Sequence, residues 1–189
     1  LFMGKLVIIA GNRRAGKTTT CNRLAKDGYI YLKFDYLLDA FDNHLDELSI
    51  FNKNERHQQE FEFFNNLVNR YYEDVQNYNQ NVVFDIYDFL PSEMLDLDKI
   101  DDVYIYYLIY PDATVSQIID CLGKYGDEFE WNKKLSIDEA NIQAKDIFTR
   151  NNLIKDECEK NNITYFDVSI LDNRIKQLDK LYNEIKELK

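Results

Sequence analysis

Proline and glycine are scarce in this sequence, two and six residues respectively, and no stretch is enriched in either. Linkers between domains are commonly built from such stretches, so residues 1–189 are expected to form a single domain, near the upper end of what one core supports. Internal repeats and low-complexity tracts are lacking as well. Cys21, Cys121 and Cys158 are odd in number, far apart and without a C-x-x-C pair. That speaks against a disulfide framework or a structural zinc site and points to reduced, mostly buried thiols. No apolar run reaches the length of a membrane span, and the run after Met3 is too short for a signal-peptide core. A cytoplasmic protein without a membrane partner is expected. Basic residues number 23 against 34 acidic ones, a formal net charge of −11, and no local basic patch offsets it. Nucleic acid is therefore not expected as a partner.

Two of the few glycines stand in the stretch around which the chain is organised. Residues 11–18, Gly-Asn-Arg-Arg-Ala-Gly-Lys-Thr, match the pattern G-x-x-x-x-G-K-[ST]. At average glycine usage, a chance match in a chain of this length has a probability on the order of one in a hundred. Context narrows it further. Leu6-Val-Ile-Ile9 before the motif is a β-branched apolar run, as a strand buried on both faces should be. After it, Cys21, Leu24 and Ala25 recur at helical spacing from Lys17 to Asp27, with Gly28 as a stop. Gly11 and Gly16 are expected to let the backbone turn its N–H groups inward and to leave no Cβ between backbone and ligand. Lys17 is expected to reach the β- and γ-phosphates of a nucleoside triphosphate, and Thr18 to bind Mg²⁺. The expected nucleotide-binding residues are Gly11, Asn12, Arg13, Arg14, Ala15, Gly16, Lys17, Thr18 and Thr19.

Four more strands are read from apolar runs: Tyr29 to Phe34, Asn81 to Phe84, Asp102 to Tyr110 and Ile163 to Val168. Between them lie a long helical region over about 36–78, a helix near 112–122, and a helix from Ile137 to Lys160 stopped by Asn161-Asn162. A C-terminal amphipathic helix runs from Leu171 to Lys189. Phe61, Phe64, Leu67, Val68, Tyr71 and Val75 recur at three- and four-residue steps, the mark of a core-facing helix surface rather than a ligand cage. His44 and His57 read as solvated surface residues. Apolar strands alternating with helices imply a parallel sheet covered on both faces, an α/β fold with its ligand at the carboxyl ends of the strands.

That rule selects the residues just past each strand. Asp85 reads either as a carboxylate holding a Mg²⁺ water beside Thr18 or as a cap of the next helix. Asp35 reads either as a group that orients or deprotonates an acceptor hydroxyl or joins the metal shell, or as a cap for Tyr36-Leu-Leu. Asp88 is a helix-cap candidate first. Arg150 reads as a cation for the migrating phosphate or as a solvated helix arginine. Arg56 and Arg70 stand as surface residues with an anionic acceptor as the other option, and Arg23 faces away without a role. The interval Gly123 to Lys134, with two glycines, alternating charge and Trp131, reads as a hinged lid or as an ordinary connection.

The order of phosphate loop, strand ending in Asp, helical insertion, strand ending in Asp-x-x-Asp, fourth strand, glycine-containing interval and long helix resembles the adenylate-kinase-like branch of P-loop kinases. That branch includes nucleoside monophosphate kinases and small-metabolite kinases of the shikimate and gluconate type. The resemblance implies a three-layer P-loop fold with sheet order 2-3-1-4-5 and ATP–Mg²⁺ as donor. It further implies an acceptor region at about 36–80, a lid at about 123–150 and an adenine seat around Ser169–Asn173. Lys17, Asp35 and Arg150 are the expected catalytic residues, Thr18 and Asp85 the expected metal residues. Two departures argue against an adenylate kinase: residues 71–149 contain no arginine, and Asp85-Ile-Tyr-Asp-Phe-Leu-Pro-Ser lacks the arginine of the family's Asp-Gly-Phe-Pro-Arg. A kinase for another small acceptor is the expected function. A nucleotide-dependent switch or ATPase, and a degenerate kinase without acceptor chemistry, are the alternatives.

Overall fold

A computed structural model of the chain describes residues 4–44, 55–87, 89–124, 136–169 and 171–188, and of 42–44, 123, 124, 171 and 172 the backbone alone. Strand β1 (Leu6–Gly11) is buried at all six positions. A strand with no polar face needs a neighbour on each edge and cover on each side. It pairs in parallel with β3 (Val82–Asp85) on one edge and β4 (Val103–Ile109) on the other. Outside these lie β2 (Ile30–Lys33) against β3 and β5 (Thr164–Asp167) against β4, again parallel. The sheet order is β2-β3-β1-β4-β5, as the resemblance implied.

The two-residue pleat of β1 divides the core. Leu6, Ile8 and Ala10 face Phe64, Val68 and Val75 of α3 (Arg56–Tyr78) and Ile154 and Cys158 of α5 (Ile137–Asn161). Val7 and Ile9 join Cys21 and Leu24 of α1 (Lys17–Lys26), Ile118 of α4 (Val115–Lys124) and Leu181 and Ile185 of α6 (Leu171–Glu187). Each large apolar side chain so buried contributes about 1.5–3 kcal/mol. Helix α5 serves both layers, because its earlier turns add Ala144 and Ile147 to the second group. The aromatic stripe is a core surface, with Phe64, Val68 and Val75 fully buried and Phe61, Leu67 and Tyr71 packed at its margin.

Several boundaries differ from expectation. The second strand stops at Lys33, and Phe34 opens helix α2 (Phe34–His44) instead of closing the strand. The Phe34 ring packs against Phe63, Phe64 and Phe89, so the core pulls this residue into the helical layer. Asp35 is thereby a first-turn helix residue rather than a strand-end one, where a carboxylate meets the positive end of the helix. The helical region expected over 36–78 is two helices, α2 and α3, with 45–54 outside the described residues. A short 3-10 turn at Pro91–Met94, unread in the sequence, follows β3.

The second half of the expected lid, from residue 137 on, is the first half of α5. Ser136 fixes that start: its Oγ accepts the Glu139 N–H while the Glu139 carboxylate accepts the Ser136 N–H at 2.7 Å, a capping box. Trp131, Lys133 and Lys134 lie outside the described residues, as do Asp88 and the side chain of Lys124. All three cysteines are free and buried. No described helix is long and apolar enough to cross a membrane.

Candidate active site

The G-x-x-x-x-G-K-T loop connects the carboxyl end of β1 to the first turn of α1, with Gly11 closing the strand and Lys17 opening the helix. Three loop residues take positive φ, Gly11 at 120°, Arg14 at 61° and Gly16 at 100°. The turn expected of the glycines is present, and the packing around them gives a further reason for their missing side chains. A Cβ on Gly11 would come within 2.1 Å of the Leu108 carbonyl oxygen on β4, and one on Gly16 within 2.8 Å of the Leu178 side chain on α6.

Lys17 is buried, and its Nζ donates to the Asn12 carbonyl at 2.9 Å, across the mouth of its own loop. Thr18 and Thr19 are exposed on the first turn. Thr18 Oγ1 donates to Asp85 Oδ2 at 2.6 Å, and the Tyr31 hydroxyl of β2 donates to the same oxygen at 3.1 Å. Asp85 is itself buried. Burial, with the Asp85 charge adding to it, pushes the Tyr31 phenol well above its ordinary value and keeps it a donor. A hydroxyl and a carboxylate in contact are the hard oxygen donors Mg²⁺ takes when substrate phosphates and water complete its shell. The donor set therefore fits that ion. Among the described residues no cluster of three or more His, Cys, Asp or Glu could hold a metal by itself.

The loop is tied to the far layer through α5. Asn12 Nδ2 donates to Asn151 Oδ1 at 2.8 Å, and that oxygen also accepts the Tyr110 N–H at 3.0 Å. The Tyr110 hydroxyl donates to the Arg13 carbonyl at 2.6 Å. Three atoms in this region, Asn12 Oδ1, Asn151 Nδ2 and Arg150 Nε, are buried without a hydrogen-bond partner. Arg150, one residue before Asn151, donates from Nη2 to the Tyr87 carbonyl at 3.0 Å. Its guanidinium also lies 5.1 Å from the Tyr87 ring centroid, with Arg13 at 4.8 Å and Lys17 Nζ at 5.6 Å. Arg150 is thus turned toward the loop and is not a solvated helix arginine.

The remaining expectations divide. Asp35 lies in the first turn of α2, just past the carboxyl end of β2. Arg56 pairs with Glu60 at 2.6 Å and Arg70 with Glu73 at 3.4 Å, both along α3. His57, more than half exposed, has Nε2 at 2.6 Å from Glu93. Arg23 has a structural role after all, pairing with Asp179 at 2.6 Å and lying 4.0 Å from the Tyr182 ring centroid, which ties α1 to α6. At the expected adenine seat, Ser169 Oγ accepts the Asp112 N–H at 3.0 Å and donates to Asp167, joining the loops after β4 and β5. Arg174 is buried behind it, donating to the Val168 carbonyl at 3.2 Å.

Tyr31, Tyr87, Tyr110 and Asn151 are the site residues that pattern reading missed. Tyr87 falls within the strand-end stretch 85–88, and Asn151 sits beside Arg150, so position alone offered a signal for these two. Nothing in the sequence distinguishes Tyr31 or Tyr110 from the other tyrosines.

Solved structures share this architecture over almost the full chain. A shikimate kinase from Bacteroides thetaiotaomicron aligns with a TM-score of 0.61 at 14% identity, covering 97% of this chain and 99% of that one. A shikimate kinase from Acinetobacter baumannii, solved in complex with shikimate, aligns at 0.53 and 16% identity, covering 100% and 97%. A gluconokinase from Sinorhizobium meliloti 1021 aligns at 0.51 and 12% identity, covering 98% and 97%. No protein-family model and no curated protein matches the sequence. At these identities the likeness is one of fold: this chain has the α/β P-loop fold, sheet order 2-3-1-4-5, that shikimate kinase and gluconokinase structures share.

Proposed function

We propose that this protein is an ATP-dependent phosphotransferase that moves the γ-phosphate of ATP to a small hydroxyl-, carboxyl- or phosphate-bearing acceptor. One observation carries the reading. Thr18 of the loop meets Asp85 of β3 at 2.6 Å beside Lys17, while Arg150 turns in from α5. Phosphoryl transfer asks a protein for little covalent chemistry and much positioning of positive charge. The backbone of residues 11–19 would cradle the phosphates at the positive end of α1, with Lys17 on the β- and γ-phosphates. Thr18 and Asp85 would hold Mg²⁺, which when bound neutralises charge shared by those phosphates. Arg150 and Arg13 would meet the migrating group. Asp35, at the start of α2, would orient the acceptor hydroxyl or take its proton.

In this reading one domain holds the phosphate site, the acceptor region at about 36–80 and a lid at about 123–150. The fold likeness to shikimate kinase and gluconokinase supports a small acceptor, and the lack of arginine from 71 through 149 argues against an adenylate kinase. The test is a metabolite screen with ATP and Mg²⁺ that reads ADP release. Acceptor-dependent ADP release, absent in Lys17→Ala, is expected. Hydrolysis that no acceptor stimulates would favour the ATPase or degenerate alternative.

A further inference from the structure

Tyr87 stands two residues past the end of β3, and its ring is shared by cations from the loop and from two separate helices. Arg13 of the loop lies 4.8 Å from the ring centroid, Lys17 of α1 5.6 Å and Arg150 of α5 5.1 Å. Arg150 is further fixed by its hydrogen bond to the Tyr87 carbonyl. Three like charges gathered at one point repel each other, and in the absence of a polyanion the side chains gain by spreading into solvent. An aromatic face opposes that spreading, because its quadrupole attracts each cation. A carboxylate would attract them too, but it would cancel charge and repel an incoming phosphate. A neutral ring gathers the cations without adding a negative charge of its own.

We propose that Tyr87 is a positioning residue: its ring holds Arg13, Lys17 and Arg150 in a preformed cluster for the terminal phosphate of the nucleotide. The inference rests on the phosphotransferase reading of this site and deepens it. The other partners of Arg13 and Lys17 act alongside the ring. In the proposed site Arg13 and Arg150 meet the migrating group, so the cluster should act on the γ-phosphate of ATP more than on the inner phosphates. Nucleotides that differ by that one phosphate therefore separate positioning from general stability.

The experiment is calorimetric titration of the full chain with ATP and with ADP, both with Mg²⁺, for Tyr87→Phe, Tyr87→Trp and Tyr87→Leu. Each variant's melting temperature is taken alongside. Retention of the ring should keep the ATP affinity within about twofold for Phe and equal or tighter for Trp, the strongest cation–π partner. Leu should weaken ATP about tenfold and ADP by clearly less. If Tyr87→Leu does not fold, Tyr87→Met takes its place with the same expectation. Wild-type ATP affinity in the ringless variant, equal losses for ATP and ADP, or a Phe variant as impaired as Leu would overturn the proposal. Wild-type protein that binds no ATP, or Lys17→Ala that binds it unchanged, would overturn the phosphate-site reading itself and this inference with it.

Discussion

Thr18 Oγ1 donates to Asp85 Oδ2 at 2.6 Å, joining the first turn of α1 to the last residue of β3 across 67 positions of sequence. The contact holds two oxygen donors side by side. If these donors serve Mg²⁺, Asp85→Asn should lower both acceptor-independent ATP hydrolysis and transfer, by about 10²-fold or more, on the scale of losing one strong electrostatic contact. Asp35→Asn should spare the hydrolysis and lower transfer alone. Equal losses of both activities in both variants would remove this division of labour.

Lys17 is held on the Asn12 carbonyl at 2.9 Å, so its ammonium is fixed inside the loop. Lys17→Ala should reduce activity about 10²–10³-fold with a circular dichroism spectrum like that of the wild type. Retained activity would place the catalytic phosphate site elsewhere.

Asn151 bridges the loop and the end of β4 with one oxygen, being itself almost fully buried. Asn151→Leu strands the Asn12 amide and the Tyr110 N–H, at a cost of about 1–3 kcal/mol for an unsatisfied buried donor. A lowered urea midpoint should be accompanied by weaker ATP binding, since Arg150 loses its anchored neighbour. A stability loss with unchanged ATP binding would show that the bridge only supports the fold.

Gly11→Ala tests the loop's inner wall. The added methyl meets the Leu108 carbonyl at 2.1 Å with φ at 120°. Backbone strain and overpacking together cost roughly 2–6 kcal/mol, so this variant should lose much of its stability, measured by denaturant unfolding. A melting curve like the wild type's would mean that β1 and β4 can part at that point.

Burial pushes the Cys158 thiol up to about 12 from an ordinary 9.0, with Glu157 and Glu159 adding to the shift. Cys21 is raised too, first by burial and then by Asp85. A thiol whose folded value is raised contributes stability that is fully present below the unfolded value and lost as pH climbs from about 9 toward about 12. The melting temperature should therefore fall on passing from pH 8 to pH 10.5, less so in Cys158→Ala relative to its own value at pH 8. A thiol reagent at pH 8 should react quickly only after denaturation.

How much of this was legible in the sequence depends on the range of the interaction responsible. The phosphate loop is local: eight consecutive residues carry the backbone turn, the cation and the hydroxyl, and a strand and a helix flank it. The apolar strands are local as well, because burial on both faces writes an uninterrupted run such as Leu6 to Ile9. With the resemblance of element order, these sufficed for the sheet order. The end of β2 was misread because Phe34 suits strand and helix alike, and its contacts with Phe63, Phe64 and Phe89 decide between them.

The sequence by itself determined the α/β layering, the loop from Gly11 to Thr18 and the aspartate at the end of β3, since each is fixed by neighbours within a few residues. Only the tertiary structure decided that Gly11 and Gly16 make room for Leu108 and Leu178, that Asn151 ties α5 to Asn12, and that Arg13, Lys17 and Arg150 gather around Tyr87. Those contacts join residues up to 162 positions apart, the separation of Gly16 and Leu178. No period or motif records them, because they arise from the way a parallel sheet brings the ends of separate strands and the helix beside them to one edge.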